Sequence, residues 1–406
     1  MDRRPLNIAM LSVHSCPLGR VGTGDTGGMS IYIRRVASEL GRLGHKVDVF
    51  TRIHDAQEDR AIRLGTNTRL IHLRAGRRGY LDKLVLHPLL PEFTARLEAF
   101  RKTNELQYDI IFSHYWLSGL AGELAQELWH IPHLIMFHTL AAVKNMLGEN
   151  EPELRLSSER HLAQSCDRVI VPTEREKGNL ISYYGACPDN ISVIPCGVNL
   201  KLFQPLGKET ARIHLGLDGD KVILFVGRIE RLKGIERLLR AVNLLKNSMP
   251  LKLLIIGGDE QNEPEMARLK QLALELGLRE TVLFLGVVSR ENLPLYYSAA
   301  DVTAVPSYYE SFGLVALESL ACGTPIVATD VGDLRHIVQH QVTGYIAEKG
   351  TPDDLADKIV LTLTQTPSVP PRFIRQTVER FDWANIALEI ERECLKTLDA
   401  CPAQAL

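Results

Sequence analysis

The sequence predicts an α/β protein made of two doubly wound domains, and two observations support this. Short runs rich in Ile, Val and Leu alternate with longer amphipathic stretches, as in parallel sheets covered by helices on both faces. The chain has 406 residues, more than one hydrophobic core usually serves, and a stretch punctuated by Pro, Gly and Asn interrupts the pattern near 200–212. We therefore expect a first domain at 1–205 and a second at 206–382.

The apolar runs give the expected elements of each domain. The predicted strands are 7–13, 46–51, 110–114, 133–138 and 168–171 in the first domain, and 221–226, 252–256, 282–285, 302–305 and 326–328 in the second. Helices are predicted at 235–246 and 263–276, and the helical tail at 383–398 can pack back on the first domain. Because ligands of such sheets bind at the carboxyl ends of strands, we expect a central cleft between the domains.

Composition excludes several classes of protein. The net charge is −2, so bulk electrostatics gives no reason to expect a nucleic-acid or membrane partner. Seven scattered cysteines form no metal-binding spacing and are expected to be reduced thiols. No run reaches the roughly 18 apolar residues of a membrane span, and the opening MDRRPLNIAMLSV is better explained as a first strand than as a signal peptide. Cytoplasmic residence is the resulting expectation.

A glycine-rich segment, GTGDTGGM at 22–29, formally satisfies the GxGxxG pattern, and Asp48 follows where a ribose-binding acid would lie. This spacing raises the alternative of a nicotinamide-dependent oxidoreductase. In the dinucleotide-binding motif the strand leads directly into the helix through the glycine-rich turn. Here the strand ends near Val13, and a loop containing proline separates it from the glycines. We favour a loop whose backbone amides approach phosphate or sugar where a helix begins near Gly28, with simple turn geometry as the remaining possibility.

Polar residues follow two predicted strands of the first domain. His114 ends one predicted strand and Tyr115 follows it, while His138 ends the next and Thr139 follows, with Lys144 shortly after. A lone histidine is usually structural, but two at adjacent strand ends favour a functional role.

Two cations lie beside a predicted helix start in the second domain. Arg228 follows the first strand of that domain, and Lys233 precedes the helix. Charge, amide donors and the helix dipole would all favour a phosphate there, although exposed cations on helices are often merely solvated.

The segment ESFGLVALE carries Glu310 in a loop and Glu318 about two helical turns further on. The two carboxylates can contact different parts of one ligand, the alternative being a helix cap with surface acids. Asp218-Gly219-Asp220 resembles the DxD metal site of other transferases, but it precedes a strand and is better explained as a turn. We therefore expect no metal site and no cofactor.

Together these motifs resemble those of a known family. GTGDTGGM, SHYWLSG, HTLAAVKN, GRIERLKG and ESFGLVALE are similar to the retaining GT-B glycosyltransferases, which include sucrose-phosphate synthases and the inositol-phosphate N-acetylglucosaminyltransferase of mycothiol synthesis. The likeness spans nearly the whole chain. It implies two Rossmann-like domains, a nucleotide-sugar donor, a phosphorylated acceptor and no metal.

The resemblance also implies roles for individual residues. Arg228 and Lys233 would hold the donor diphosphate near Gly28, with Glu310 at the donor sugar and Glu318 at the ribose. His138 would bond the transferred sugar, which makes His138, Arg228, Lys233 and Glu310 the candidate catalytic set. The remaining donor-binding candidates are Phe312, Gly313 and Leu314, and the acceptor-binding candidates are Ser30, Lys83, Tyr115, Thr139 and Arg155.

The resemblance leaves two acceptors open. Ser30 stands where the inositol enzyme has asparagine, which favours transfer from UDP-glucose to fructose 6-phosphate, as in sucrose-phosphate synthases. The GGM and HTLAAVKN spellings favour the alternative, transfer from UDP-N-acetylglucosamine to inositol phosphate. A catalytically silent sugar-nucleotide binding protein is a further, less favoured hypothesis.

Overall fold

A computed structural model describes residues 4–19, 27–54, 61–217, 219–258, 263–364 and 369–400. Contacts divide them into two compact units. The first contains 4–19, 28–195 and 383–400, and the second contains Gly27 and the described residues of 196–382. The chain thus passes from one unit to the other at Pro195, earlier than the boundary expected at 205, and returns at Trp383.

The first unit is an eight-stranded sheet with helices. Its strands are β1 (Asn7–Leu11), β2 (Lys46–Arg52), β3 (Ala61–Gly65), β4 (Thr68–Leu73), β5 (Ile110–His114), β6 (His133–Met136), β7 (Arg168–Val171) and β8 (Ile191–Val193). Its helices are α1 (Gly28–Arg42), α2 (Lys83–Leu86), α3 (Leu90–Thr103), α4 (Trp116–Trp129), α5 (Ala141–Met146), α6 (Glu153–Ser165), α7 (Glu174–Tyr184) and a C-terminal helix described below. The strand order is β3-β4-β2-β1-β5-β6-β7-β8, and every pair except β3 with β4 is parallel.

The second unit is a six-stranded parallel sheet. Its strands are β9 (Lys221–Val226), β10 (Leu251–Ile256), β11 (Val282–Gly286), β12 (Val302–Val305), β13 (Ile326–Thr329) and β14 (Gly344–Ala347), in the order β11-β10-β9-β12-β13-β14. Its helices are α8 (Lys208–Leu215), α9 (Ile235–Leu245), α10 (Glu263–Glu275), α11 (Leu293–Ala299), α12 (Leu314–Ala321), α13 (Leu334–Ile337), α14 (Pro352–Thr364) and α15 (Pro371–Gln376). The predicted α/β class and the two doubly wound sheets are confirmed.

Each sheet has its own apolar core. Side chains of β1, β5 and β6 pack with helices α3 and α4 in the first unit, where Phe93, Ile111 and Trp116 are almost fully buried. In the second unit, β9 and β10 pack against α9, whose Leu238 and Val242 are fully buried. Because both faces of the parallel strands are covered, their sequences are nearly continuous apolar runs.

The C-terminal helix, α16 (Trp383–Ala400), packs on the first unit. Its buried Glu391 accepts a hydrogen bond from His45 Nε2 at 3.0 Å, and the imidazole Nδ1 of His45 accepts from the backbone N–H of Leu6. Glu393 forms an ion pair with Arg168 at 3.0 Å. These buried polar contacts hold a helix that follows the second unit in sequence against the sheet of the first.

Two predicted strands end earlier than expected. β1 ends at Leu11, and β6 ends at Met136 because His138 has a left-handed backbone with φ +63°. The sequence analysis also omitted β3, β4, β8 and β14. No helix among the described residues is both long enough and apolar enough to cross a bilayer.

Candidate functional site

In the second unit, two loops leave the carboxyl ends of neighbouring parallel strands. The loop after β9 carries Arg228 and Lys233 to the start of α9, and the loop after β12 carries Glu310 to the start of α12. Adjacent parallel strands end at the same edge of a sheet, so these loops meet. The backbone N–H of Tyr308 donates to the carbonyl of Leu232 at 2.8 Å, which joins the two loops directly.

Lys233 and Glu310 form an ion pair between these loops. Lys233 Nζ lies 2.7 Å from Glu310 Oε1, which also accepts a hydrogen bond from Ser307 Oγ at 2.8 Å. Both side chains are mostly but not fully buried, with 18% and 16% exposed. Separate roles were predicted for these two residues, and the structure brings their charged groups into contact.

Gly234, between Lys233 and α9, allows the loops after β9 and β12 to come into contact. Its φ is +69°, and a Cβ at this position would lie 2.0 Å from the carbonyl oxygen of Pro306. Only glycine fits such a close backbone approach. Gly234 is also the N-cap residue of α9. Because glycine has no side chain, no cap accepts hydrogen bonds from the backbone N–H groups of the first turn.

Arg228 follows β9 on the same loop. Its guanidinium pairs with Glu230 at 3.0 Å, and its side chain is 40% exposed. This exposed pair is weak, which leaves the guanidinium able to exchange Glu230 for a phosphate.

Glu318 lies in α12 and is almost fully buried. Arg290 contacts its Oε1, and Tyr297 OH donates to its Oε2 at 3.1 Å. Burial and the nearby Glu318 raise the pKa of Tyr297 well above its usual value, which keeps the phenol protonated as a donor. A carboxylate oxygen can accept more than one hydrogen bond, which is the chemistry that a ribose hydroxyl would require.

Arg290 and Tyr297 were not predicted from the sequence. They lie after β11 and in α11, and no local motif marks them, since only the tertiary fold brings them to Glu318.

The other donor candidates lie at the start of α12. Phe312 is buried, with its ring 6.0 Å from that of Phe381, so its side chain serves the core and only its backbone remains for a ligand. Gly313 has φ +116°, and a Cβ there would lie 2.7 Å from Leu334 Cδ2. Leu314 begins the helix.

In the first unit, the predicted residues gather after β5 and β6, which are parallel neighbours. Tyr115 and His138 both have left-handed backbones, with φ +76° and +63°. Such conformations are uncommon for residues with a side chain and are concentrated at functional sites. Next to Tyr115 in the chain, His114 has its Nδ1 3.0 Å from His138 Nε2.

Three of the predicted acceptor residues are in contact. Arg155 on α6 lies 4.8 Å from the centroid of the Tyr115 ring, and its Nη2 donates to both Thr139 Oγ1 and the Thr139 carbonyl at 2.9 Å. Lys83, the fourth member, begins α2 on a separate segment and is partly exposed.

Two glutamates that the sequence analysis missed neutralise this cluster. Arg155 pairs with Glu159 at 2.7 Å and with Glu151 at 2.8 Å, and Lys144 also contacts Glu151. Burial alone would raise the pKa of Glu151, but Arg155 and Lys144 outweigh it and hold that pKa below its usual value. Glu151 is therefore charged at neutral pH and pairs with Arg155, which was predicted to bind a phosphate, as well as with Lys144.

The glycine-rich segment begins outside the described residues, which resume at Gly27. Gly28 is the first residue of α1. Ser30, two residues later, is almost fully buried, and its hydroxyl lies 2.8 Å from that of Ser15. Its hydroxyl is thus engaged inside the fold.

Asp48 does not fit the role of a ribose-binding acid. It lies near the amino end of β2, where its carboxylate accepts from Arg69 Nε at 2.8 Å and from Tyr108 OH at 2.7 Å. A ribose acid lies at the opposite, carboxyl end of such a strand, so the dinucleotide-binding interpretation is wrong. Asp218 lies outside the described residues, and Asp220 immediately precedes β9 at its amino end.

Comparisons with known proteins agree with this geometry. The family model for glycosyl transferases group 1 matches residues 207–378, and that for glycosyltransferase family 4 matches residues 26–202. A D-inositol 3-phosphate glycosyltransferase from Mycobacteroides abscessus is 40% identical over 393 residues, covering 95% of this chain and 88% of that protein. One from Mycobacterium sp. (strain KMS) is 42% identical over 381 residues, covering 92% and 86%.

A solved structure extends the comparison. Sucrose-phosphate synthase from Thermosynechococcus elongatus has a TM-score of 0.89 and 35% identity, covering 98% of this chain and 100% of that one. The resemblance expected from the motifs is confirmed at the level of the family, and an oxidoreductase is excluded. The chain belongs to the group 1 glycosyltransferases, has the GT-B fold and is a glycosyltransferase that uses a nucleotide sugar.

Proposed function

We propose that this enzyme transfers N-acetylglucosamine from UDP-N-acetylglucosamine to inositol 3-phosphate, with retention at the anomeric carbon and without a metal ion. The observation that carries the acceptor is the 40–42% identity, over nearly the whole chain, to proteins named D-inositol 3-phosphate glycosyltransferase. This moves the preference from fructose 6-phosphate, which Ser30 favoured, to the inositol alternative, which the GGM and HTLAAVKN motifs favoured.

In the proposed mechanism, Lys233 and Arg228 stabilise the charge that develops on the leaving diphosphate. Cations and helix amides arranged in advance provide this stabilisation without reorganisation during the reaction. The acceptor oxygen forms its bond to the anomeric carbon on the face that the diphosphate leaves. As the bond from that carbon to the diphosphate breaks, the leaving phosphate oxygen takes the acceptor's proton. Glu310 holds Lys233 in place and binds a donor-sugar hydroxyl, and Glu318 binds the ribose.

The acceptor phosphate is proposed to bind at Tyr115, Thr139 and Arg155, with Lys83. Hydroxyl groups and a planar guanidinium are suitable donors for a dianion. The contacts among the first three residues support this assignment. His138 donates a hydrogen bond to the transferred sugar.

Fructose 6-phosphate with UDP-glucose is the second candidate. The TM-score of 0.89 to a sucrose-phosphate synthase favours it, as does the serine at position 30. Both candidates share a phosphorylated acceptor.

The substrates are tested by incubating the enzyme with UDP-N-acetylglucosamine or UDP-glucose and either inositol 3-phosphate or fructose 6-phosphate, with mass spectrometry of the products. We expect product from UDP-N-acetylglucosamine and inositol 3-phosphate, and at least tenfold less with unphosphorylated inositol because the phosphate contacts are lost. Sucrose phosphate as the main product would replace our proposal with the second candidate.

Lys233→Ala tests the cation at the donor diphosphate. We expect kcat to fall about a hundredfold or more, the usual effect of removing one preorganised charge-stabilising group, while circular dichroism stays unchanged. Arg240→Ala removes an exposed cation from α9 and is the matched control, with near-normal turnover expected. Activity in excess EDTA should persist in the wild type. Near-normal turnover by Lys233→Ala would refute the role of this lysine.

Glu151→Gln tests the acceptor site. Removing the charge that pairs with Arg155 and Lys144 should lower KM for the phosphorylated acceptor about threefold to tenfold, since those cations become more available to the phosphate. Glu153→Gln makes the same charge change at an exposed position of α6 and should leave KM unchanged. An unchanged or higher KM for Glu151→Gln would place the phosphate elsewhere.

A further inference from the structure

His114 is a buried histidine to which the family comparison and the proposed mechanism give no role. It ends β5, has no exposed surface, and packs against the rings of Phe112 at 4.4 Å and Tyr32 at 5.7 Å. Its Nδ1 lies 3.0 Å from Nε2 of His138. His114 therefore packs against aromatic rings in the core and also makes a polar contact with a candidate site residue, His138.

The hydrogen bond between the two imidazoles requires one donor and one acceptor. At least one ring is therefore neutral at the shared contact. Burial lowers the pKa of His114 well below its usual value, and burial together with nearby His14 lowers the pKa of His138 to about 3. Both rings are neutral at physiological pH, and each carries one proton.

The second nitrogen of His114 determines which ring donates. His114 Nε2 is buried and has no hydrogen-bond partner among the described residues. A proton on that atom would be a buried N–H without an acceptor, which is rarer and more costly in proteins than an unused acceptor lone pair. The proton of His114 therefore lies on Nδ1, and His114 donates to His138.

The tautomer of His138 follows directly. Its Nε2 accepts from His114, so its single proton must lie on Nδ1. Within the described part of the chain, His138 makes no other hydrogen bond, and although burial lowers its pKa, the residue keeps some exposed surface. Its left-handed backbone further restricts how the ring is presented.

We infer that His114 is a positioning residue that holds His138 in the tautomer protonated on Nδ1, so that His138 offers a ligand an N–H donor and not a basic lone pair. The Nδ1–H of His138 can donate a hydrogen bond to a sugar hydroxyl oxygen. That the ligand is a sugar rests on the proposed function. The arrangement also makes His138 unsuited to act as a general base through Nδ1.

The tautomer is measured directly by NMR of the full-length protein labelled with ¹⁵N-histidine, using long-range ¹H–¹⁵N correlations and the spectrum of His138→Gln to assign the signal. In the wild type we expect a protonated Nδ1 and an unprotonated Nε2 for His138. A protonated Nε2 in the wild type would overturn the inference by itself, whatever the variants do.

Variants of His114 separate positioning from core packing. His114→Leu keeps the volume but removes the donor, and it should return His138 to a protonated Nε2 or to a mixture of tautomers. His114→Asn retains an amide N–H near the position of Nδ1 and should preserve the wild-type tautomer. His133→Asn removes another fully buried histidine, bonded to Ser113 at 2.8 Å, and is the control that should leave His138 unchanged.

Activity gives a second readout. We expect kcat/KM to fall about tenfold in His114→Leu, as for the loss of one well-placed hydrogen bond, and to recover partly in His114→Asn. An unchanged His138 tautomer in folded His114→Leu would also overturn the inference. Because the NMR measurement needs no substrate, an error in the proposed substrates would leave its result intact.

Discussion

The ion pair between Lys233 and Glu310 is the contact on which the proposed donor site depends. It joins the loops that follow β9 and β12, and it exists because these strands are parallel neighbours whose carboxyl ends meet. The close approach of Gly234 to Pro306 sets the distance between the loops. The pair holds the Lys233 ammonium group, which is mostly buried, just before α9. In our proposal this group stabilises the negative charge that develops on the diphosphate.

The first unit uses the same arrangement with different chemistry. β5 and β6 are also parallel neighbours, and their ends bring two neutral histidines into contact where the second unit places a charged pair. Nearby, the cations Arg155 and Lys144 are balanced by Glu151 and Glu159. A site that is charge-neutral when empty avoids the cost of an uncompensated buried guanidinium. In our proposal this balance also sets how strongly a phosphate must compete for Arg155.

Much of the fold was predictable, because buried parallel strands are continuous apolar runs and the helices between them are amphipathic. β3 escaped prediction because it is an antiparallel edge strand with partly exposed residues, and β14 because it begins with a glycine, which is depleted in strands. The sequence also marked Lys233, Glu310 and Arg155 individually. It could not show that Lys233 contacts Glu310, or that Arg290 and Tyr297 reach Glu318, since those contacts depend on loops brought together by the sheet. The acceptor was harder still, because the same phosphate contacts serve an inositol phosphate and a sugar phosphate.

The most direct test of the central claim is a crystal structure of the enzyme with UDP, grown with and without magnesium. Our account predicts that the terminal phosphate lies within hydrogen-bonding distance of Lys233 Nζ and of the backbone amides that open α9, in the same position under both conditions. A nucleotide bound elsewhere, or a diphosphate joined to the protein through a magnesium ion, would contradict it.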